Sequence, residues 1–205
     1  MFSVILGSAV NSPAKDRPVT LPGEQRMEKA GFRMDMRKLW EDHITWTRLY
    51  IVSALAGLPD MDATAGRLLQ NQSDIGNAIK PLYGDAAGEK LTALLKDHIL
   101  IAADLIAGVK SGDTAQRARA GARWNANADA IAGFLSGANP EHWSLSEMKS
   151  MMHEHLSATT AEVVARLKKD WGGDIRAYDS VHNQILGMAD MLSDGIISQF
   201  PARFK

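Results

Sequence analysis

Cysteine is absent from this chain of 205 residues. Disulfides, thiolate-bound zinc and cysteine nucleophiles are therefore excluded together. An excess of either charge is missing too, since 23 basic side chains face 24 acidic ones and the net charge is −1. No global positive field would draw such a chain to nucleic acid or hold it on an anionic membrane. No apolar run reaches the ~18 residues that a membrane-spanning helix needs. A phosphate-cradling glycine loop, a nucleophile elbow and a His-Glu-x-x-His zinc motif are all wanting.

Strand-like alternation is also missing, and what stands in its place is helical periodicity. From Met34 onward apolar residues recur at steps of three and four. The pattern predicts six helices: Met34 to Ala56, Met61 to Leu82, Ala86 to Lys110, Thr114 to Leu135, Leu145 to Lys169 and Asp174 to Phe200. Gly57-Leu58-Pro59, Pro81 with Gly84, Ser111-Gly112, Gly137 with Pro140, Gly172-Gly173 and Pro201 supply the stops. Ser144 with Glu147 forms a capping-box pattern, and Asp113 with Gln116 a variant of it. Asp60 and Asp174 suit helix N-caps. Short connections predict antiparallel neighbours. The fold expected is all-α: a helical bundle of about six helices, arranged as three pseudo-repeated antiparallel hairpins in one domain over 34–205.

Residues 1–33 lack this periodicity and are expected to form a flexible N-terminal segment. Phe2 to Val10 is apolar but no Lys or Arg precedes it, which makes a poor secretion signal. Asn11 to Gln25 carries Pro13, Pro18 and Pro22 and reads as a linker.

Similar segments return about every 56 residues. Trp40-Glu41-Asp42-His43-Ile44, Leu95-Lys96-Asp97-His98-Ile99 and Met152-His153-Glu154-His155-Leu156 occupy the odd helices, with the last histidines 55 and 57 residues apart. Asn71, Asn127 and Asn183 echo them on the even helices at intervals of 56 and 56. Gly57, Gly112 and Gly173 stand near matching turns. A triplicated hairpin would make the odd helices parallel and bring their histidines to one height.

His43, His98, His155 and His182 all lie on or beside apolar stripes, so by helical geometry they face inward or lie at the edge of the buried face. Inward imidazoles from several helices are how bundles build metal sites, and neutral imidazole suits zinc, iron or copper. Asp179, three residues before His182 on the same face, could join it on one ion. Asp42, Asp97 and Glu154 are rotated about 100° away from the neighbouring histidine. Ferritin-like di-iron chemistry is disfavoured, because Trp40, Leu95 and Met152 stand where its glutamates would. Asn71 and Asn127, flanked by apolar residues, would bind a small ligand or enter a polar network.

The segments from Arg37 to Arg48, from Leu68 to Gly76 and from Met188 to Gly195 resemble a family of bacterial proteins of unknown function. Members of that family often begin with a secretion signal, so the resemblance implies an extracytoplasmic location; it carries no catalytic residue. The function expected from the residues is a metal- or small-ligand-binding bundle with an interior histidine site. The competing expectation is a structural or interaction module whose histidines are merely packed. A metal-dependent oxidoreductase ranks behind both.

Overall fold

The computed structural model describes residues 27–205. The expectations for the apolar stretch and the proline-rich segment fall on residues 1–26, outside the described residues. Six helices follow: α1 (Lys29–Ala56), α2 (Met61–Tyr83), α3 (Asp85–Ser111), α4 (Thr114–Ala138), α5 (Leu145–Leu167) and α6 (Trp171–Gln199). A 3-10 turn, Pro201–Arg203, ends the chain's helical part. Helix α1 begins at Lys29 rather than Met34. Its start is tied down by Met27, which exchanges backbone hydrogen bonds with Arg203 and Lys205 at 2.9 and 3.0 Å, and by Phe32, whose ring meets Phe204 edge-on at 5.1 Å.

Each helix packs on its neighbour in sequence, and α6 returns to α1, so the six close into a ring. Alternation along that ring leaves α1, α3 and α5 parallel. Lys110 at the end of α3 donates to the carbonyl of Ala54 at the end of α1 at 2.6 Å, which fixes those two ends side by side. The main core gathers Met36, Trp40, Ile75, Leu95, Trp124, Ile131, Met152, Ile185 and Leu192. A smaller apolar cluster, Ile51, Ala54, Ile106 and Val163, joins α1, α3 and α5 near their C-terminal ends.

Several chain-end signals act as expected. Asp113 accepts from the amides of Ala115 and Gln116 at 2.9 Å. Ser144 accepts from the Glu147 amide at 3.3 Å while its hydroxyl donates to that glutamate at 2.6 Å. Others are displaced. Pro81 lies inside the last turn of α2 instead of stopping it, because a proline there only forgoes one bond near a terminus. Gly172 and Gly173 belong to the first turn of α6, whose cap is Asp170, accepting from the Gly173 amide at 2.9 Å. Asp174 is no cap but a buried partner of Arg48.

The turns after the odd helices share one device. Gly57, Gly112 and Lys169 take positive φ of 68°, 74° and 59°, each 14 residues beyond the histidine of its helix (43 to 57, 98 to 112, 155 to 169). Glycine reaches this left-handed conformation freely, whereas Lys169 adopts it against the Cβ clash. Gly173 is therefore not the counterpart of Gly57 and Gly112.

Candidate histidine-floored cavity

Parallel odd helices place His43, His98 and His155 in one layer of the bundle. All three are buried, at 3 %, 3 % and 5 % exposure. The His155 ring lies 5.8 Å from that of His43 and 6.1 Å from that of His98, centroid to centroid. His182 and Asp179 do not join them. His182 faces the rim of the bundle, with Nε2 3.0 Å from Glu41, and Asp179 is exposed to solvent.

An amide on the following helix faces each imidazole and orients two of the three. Asn127 donates from Nδ2 to the Leu94 carbonyl at 3.0 Å, which turns its Oδ1 toward His98 Nδ1 at 2.8 Å. That nitrogen must then carry the proton, so His98 Nε2 is an acceptor, and it receives the Trp124 indole N–H at 3.1 Å. Gln184 repeats the arrangement: its amide donates to the Met151 carbonyl at 3.2 Å, and its oxygen takes the His155 Nδ1 proton at 3.2 Å. In the first hairpin two residues divide the task. Asn71 donates to the Leu39 carbonyl at 3.0 Å, while Gln72 beside it faces the His43 ring. His43 Nδ1 and Gln72 Oε1 both remain buried without a properly formed hydrogen bond. Leu39, Leu94 and Met151 each precede their histidine by four residues.

Burial dominates the electrostatics. It pushes His98 down to about 3, helped by the neighbouring His155 and opposed by Asn127. It pushes His155 down to about 4, opposed by Gln184. His43 is held well below the usual imidazole range by burial, then by His155 and His98. All three are neutral at physiological pH. Nε2 of His43 and Nε2 of His155 accept no hydrogen bond among the described residues.

Above this layer runs a cavity of about 780 Å³. Thr47 and Tyr50 of α1, Ala102, Leu105 and Ile106 of α3, and Thr159 and Val163 of α5 form its walls. Thr47, Ala102 and Thr159 stand four residues past the histidines, one helical turn above the floor. Along α5 the wall extends from His155 to Lys168, which at about 1.5 Å per residue is roughly 20 Å. The cavity therefore leads from mid-bundle toward the end where the odd helices stop. Its mouth lies between the first half of α4 and the second half of α5, the least closely packed seam of the ring, with Arg117, Ala118, Val164, Leu167 and Lys168 exposed there.

A second buried polar cluster borders this end. Arg48 binds both Glu162, at 2.8 Å, and Asp174, and Arg166 reaches Asp174 at 3.0 Å. Burial raises the Glu162 carboxyl against the pull of Arg48. Burial alone would raise Asp174 as well, but the two guanidiniums together leave it lowered.

Among the described residues, no group of three or more His, Asp or Glu is arranged to hold a metal ion. Comparison with protein-family models, with curated proteins and with solved structures yields no match. The amide partners were only half visible in the sequence. Asn71 and Asn127 are buried beside the layer, but Asn183 is exposed and Gln184 takes the third place. The signal was available by counting from each histidine: Gln72, Asn127 and Gln184 each follow by 29 residues (43 to 72, 98 to 127, 155 to 184).

Proposed function

We propose that this protein is a non-catalytic carrier of an elongated, mainly apolar small molecule, whose hydrogen-bond-donating head reaches the histidine floor. The observation that carries this is the pairing of a 780 Å³ apolar cavity with neutral imidazoles at its closed end, two of them with an uncommitted Nε2. Binding pockets for small molecules commonly hold about 300–1,000 Å³ and combine apolar walls with a few convergent polar groups. A hydroxyl head satisfies a buried acceptor that otherwise loses its water, so the floor selects for a donor.

Displacement of an environment-sensitive apolar dye, anilinonaphthalenesulfonate, tests it. One dye should bind per chain, and long-chain alcohols should compete better than the methyl ethers of equal length. Ala102→Trp, which fills the cavity beside the floor, should abolish binding without lowering stability. His155→Phe should keep dye binding and erase the preference for alcohols, a loss of roughly tenfold or less for one neutral hydrogen bond. Equal dye binding by the Ala102→Trp protein would leave only a structural module with packed histidines.

A second reading keeps the same three residues as ligands for zinc, iron or copper. Its support is that Nδ1 of His98 and of His155 is anchored to an amide oxygen, as metal-binding imidazoles usually are by their outer nitrogen. It also requires the Trp124 indole to release His98 Nε2. Metal in stoichiometric amount in untagged protein, lost in a folded His155→Ala variant, would put an ion in the organic guest's place.

A further inference from the structure

The distribution of exposed apolar side chains is uneven. Ten large ones are exposed among the described residues, and six of them (Leu58, Met61, Val164, Leu167, Trp171 and Ile175) lie at or within about one turn of the bundle end where α1 and α5 stop. The cavity leads to that same end. Val164 and Leu167 belong to both features, being exposed and lining the mouth. Trp171 is 53 % exposed although the Arg166 guanidinium covers one face of its ring at 5.0 Å.

Charge at the mouth itself is mainly cationic, although the same bundle end also carries the exposed carboxylates Asp60, Asp62, Asp113 and Asp170. Arg117, Lys168, Lys169 and Arg176 form no ion pair among the described residues. Of the adjacent acids, Asp174 and Glu162 are buried against Arg48, while Asp113 and Asp170 are turned to helix N-terminal amides and keep their charge. Asp60 and Asp62, beside Leu58 and Met61, are the acids left on the far side of this end.

We propose that this end docks onto the surface of a lipid bilayer containing anionic lipid, with Leu167 and Trp171 entering the head-group layer and Lys168 and Lys169 resting on lipid phosphates. Tryptophan and leucine flanked by lysine are the side chains that partition into this layer. A second copy fits the surface less well where the two-fold axis would run through the Leu167–Trp171 patch, because that contact brings the Lys168–Lys169 pairs of two chains together. The proposal rests in part on the carrier reading, and it gives the cavity a loading route. An amphiphile in a leaflet already points its head at the docked mouth, so it would slide in head first until that head met the imidazoles, its tail following into the apolar channel.

Flotation of the full chain with vesicles tests docking without any guest. Vesicles of phosphatidylcholine with phosphatidylglycerol should carry the protein up, and phosphatidylcholine alone should do so several-fold less. Tryptophan emission should shift to the blue on binding, and Trp171→Phe should remove that shift. Lys168→Glu with Lys169→Glu should weaken binding to the mixed vesicles roughly tenfold or more, given the contribution of each lysine near an anionic surface. Leu167→Glu with Trp171→Glu should abolish binding to both compositions while circular dichroism stays unchanged, since both side chains are exposed. No flotation, or flotation indifferent to these substitutions, would overturn the proposal. So would a concentration-dependent dimer dissolved by the Leu167 and Trp171 changes, which would assign the surface to a second copy. Dye binding measured without vesicles is independent of all these outcomes, so the carrier reading and the docking surface fail separately.

Discussion

At the scale of single residues, the histidine layer is held by amides rather than by carboxylates, and the difference sets its chemistry. A carboxylate beside each ring would favour imidazolium; an amide oxygen accepts the Nδ1 proton and lets burial keep the ring neutral. Asn127 is the most committed of these amides, because it joins the Leu94 carbonyl, His98 and, through His98, the Trp124 indole. Asn127→Leu should therefore cost about 1–3 kcal/mol in denaturant unfolding, since it strands a buried imidazole N–H, while the Leu94 carbonyl keeps its bond within α3. Asn183→Ala, on the exposed neighbour of Gln184, should stay within about 0.5 kcal/mol. Equal effects at the two positions would mean that the amide layer contributes nothing specific.

At the scale of elements, helix existence was legible because it rests on apolar periodicity, which the sequence displays directly. The ends were less so. Asp174 looked like a cap because it follows two glycines, yet the chain caps α6 with Asp170 and uses Asp174 to hold α1 through Arg48. Nothing local announces such a contact, as Arg48 and Asp174 are 126 residues apart in the chain. His182 misled for a related reason: its stripe is apolar, but it stands at the edge facing Glu41, and edge and centre of a stripe look alike in one helix taken alone. The histidine layer itself was legible because three helices carry it in the same register. The Arg48 cluster ties α1, α5 and α6 where the cavity weakens the packing. Arg48→Met should cost about 3–5 kcal/mol by leaving Glu162 and Asp174 buried without that cation. A much smaller loss in thermal or chemical unfolding would mean that water reaches those carboxylates.

At the scale of the whole molecule, three imidazoles kept neutral in one layer make acid the condition under which the bundle should fail. An unfolded chain protonates its histidines below about 6.5, whereas the folded chain resists until about 4 at His155 and about 3 at His98. Between those limits the unfolded state binds more protons, so stability falls as pH falls. Each such histidine removes up to about 1.4 kcal/mol per pH unit, and His43, shifted in the same direction, makes a third. The combined slope approaches about 4 kcal/mol per unit, against a total stability of roughly 5–15 kcal/mol for a domain of ordinary kind. Asp174, whose folded carboxyl is lowered, adds stability that is lost only at still lower pH, and Glu162, raised by burial, works the other way. The expected outcome is cooperative loss of helix, followed by circular dichroism, beginning below pH 6 and complete near pH 4. Replacing His98 by Gln should flatten the slope by about a third, because one of three proton-linked groups is gone. A bundle whose stability is level from pH 7 to 4 would show that the imidazoles are hydrated, and a dry, donor-selecting floor would no longer be available to any guest.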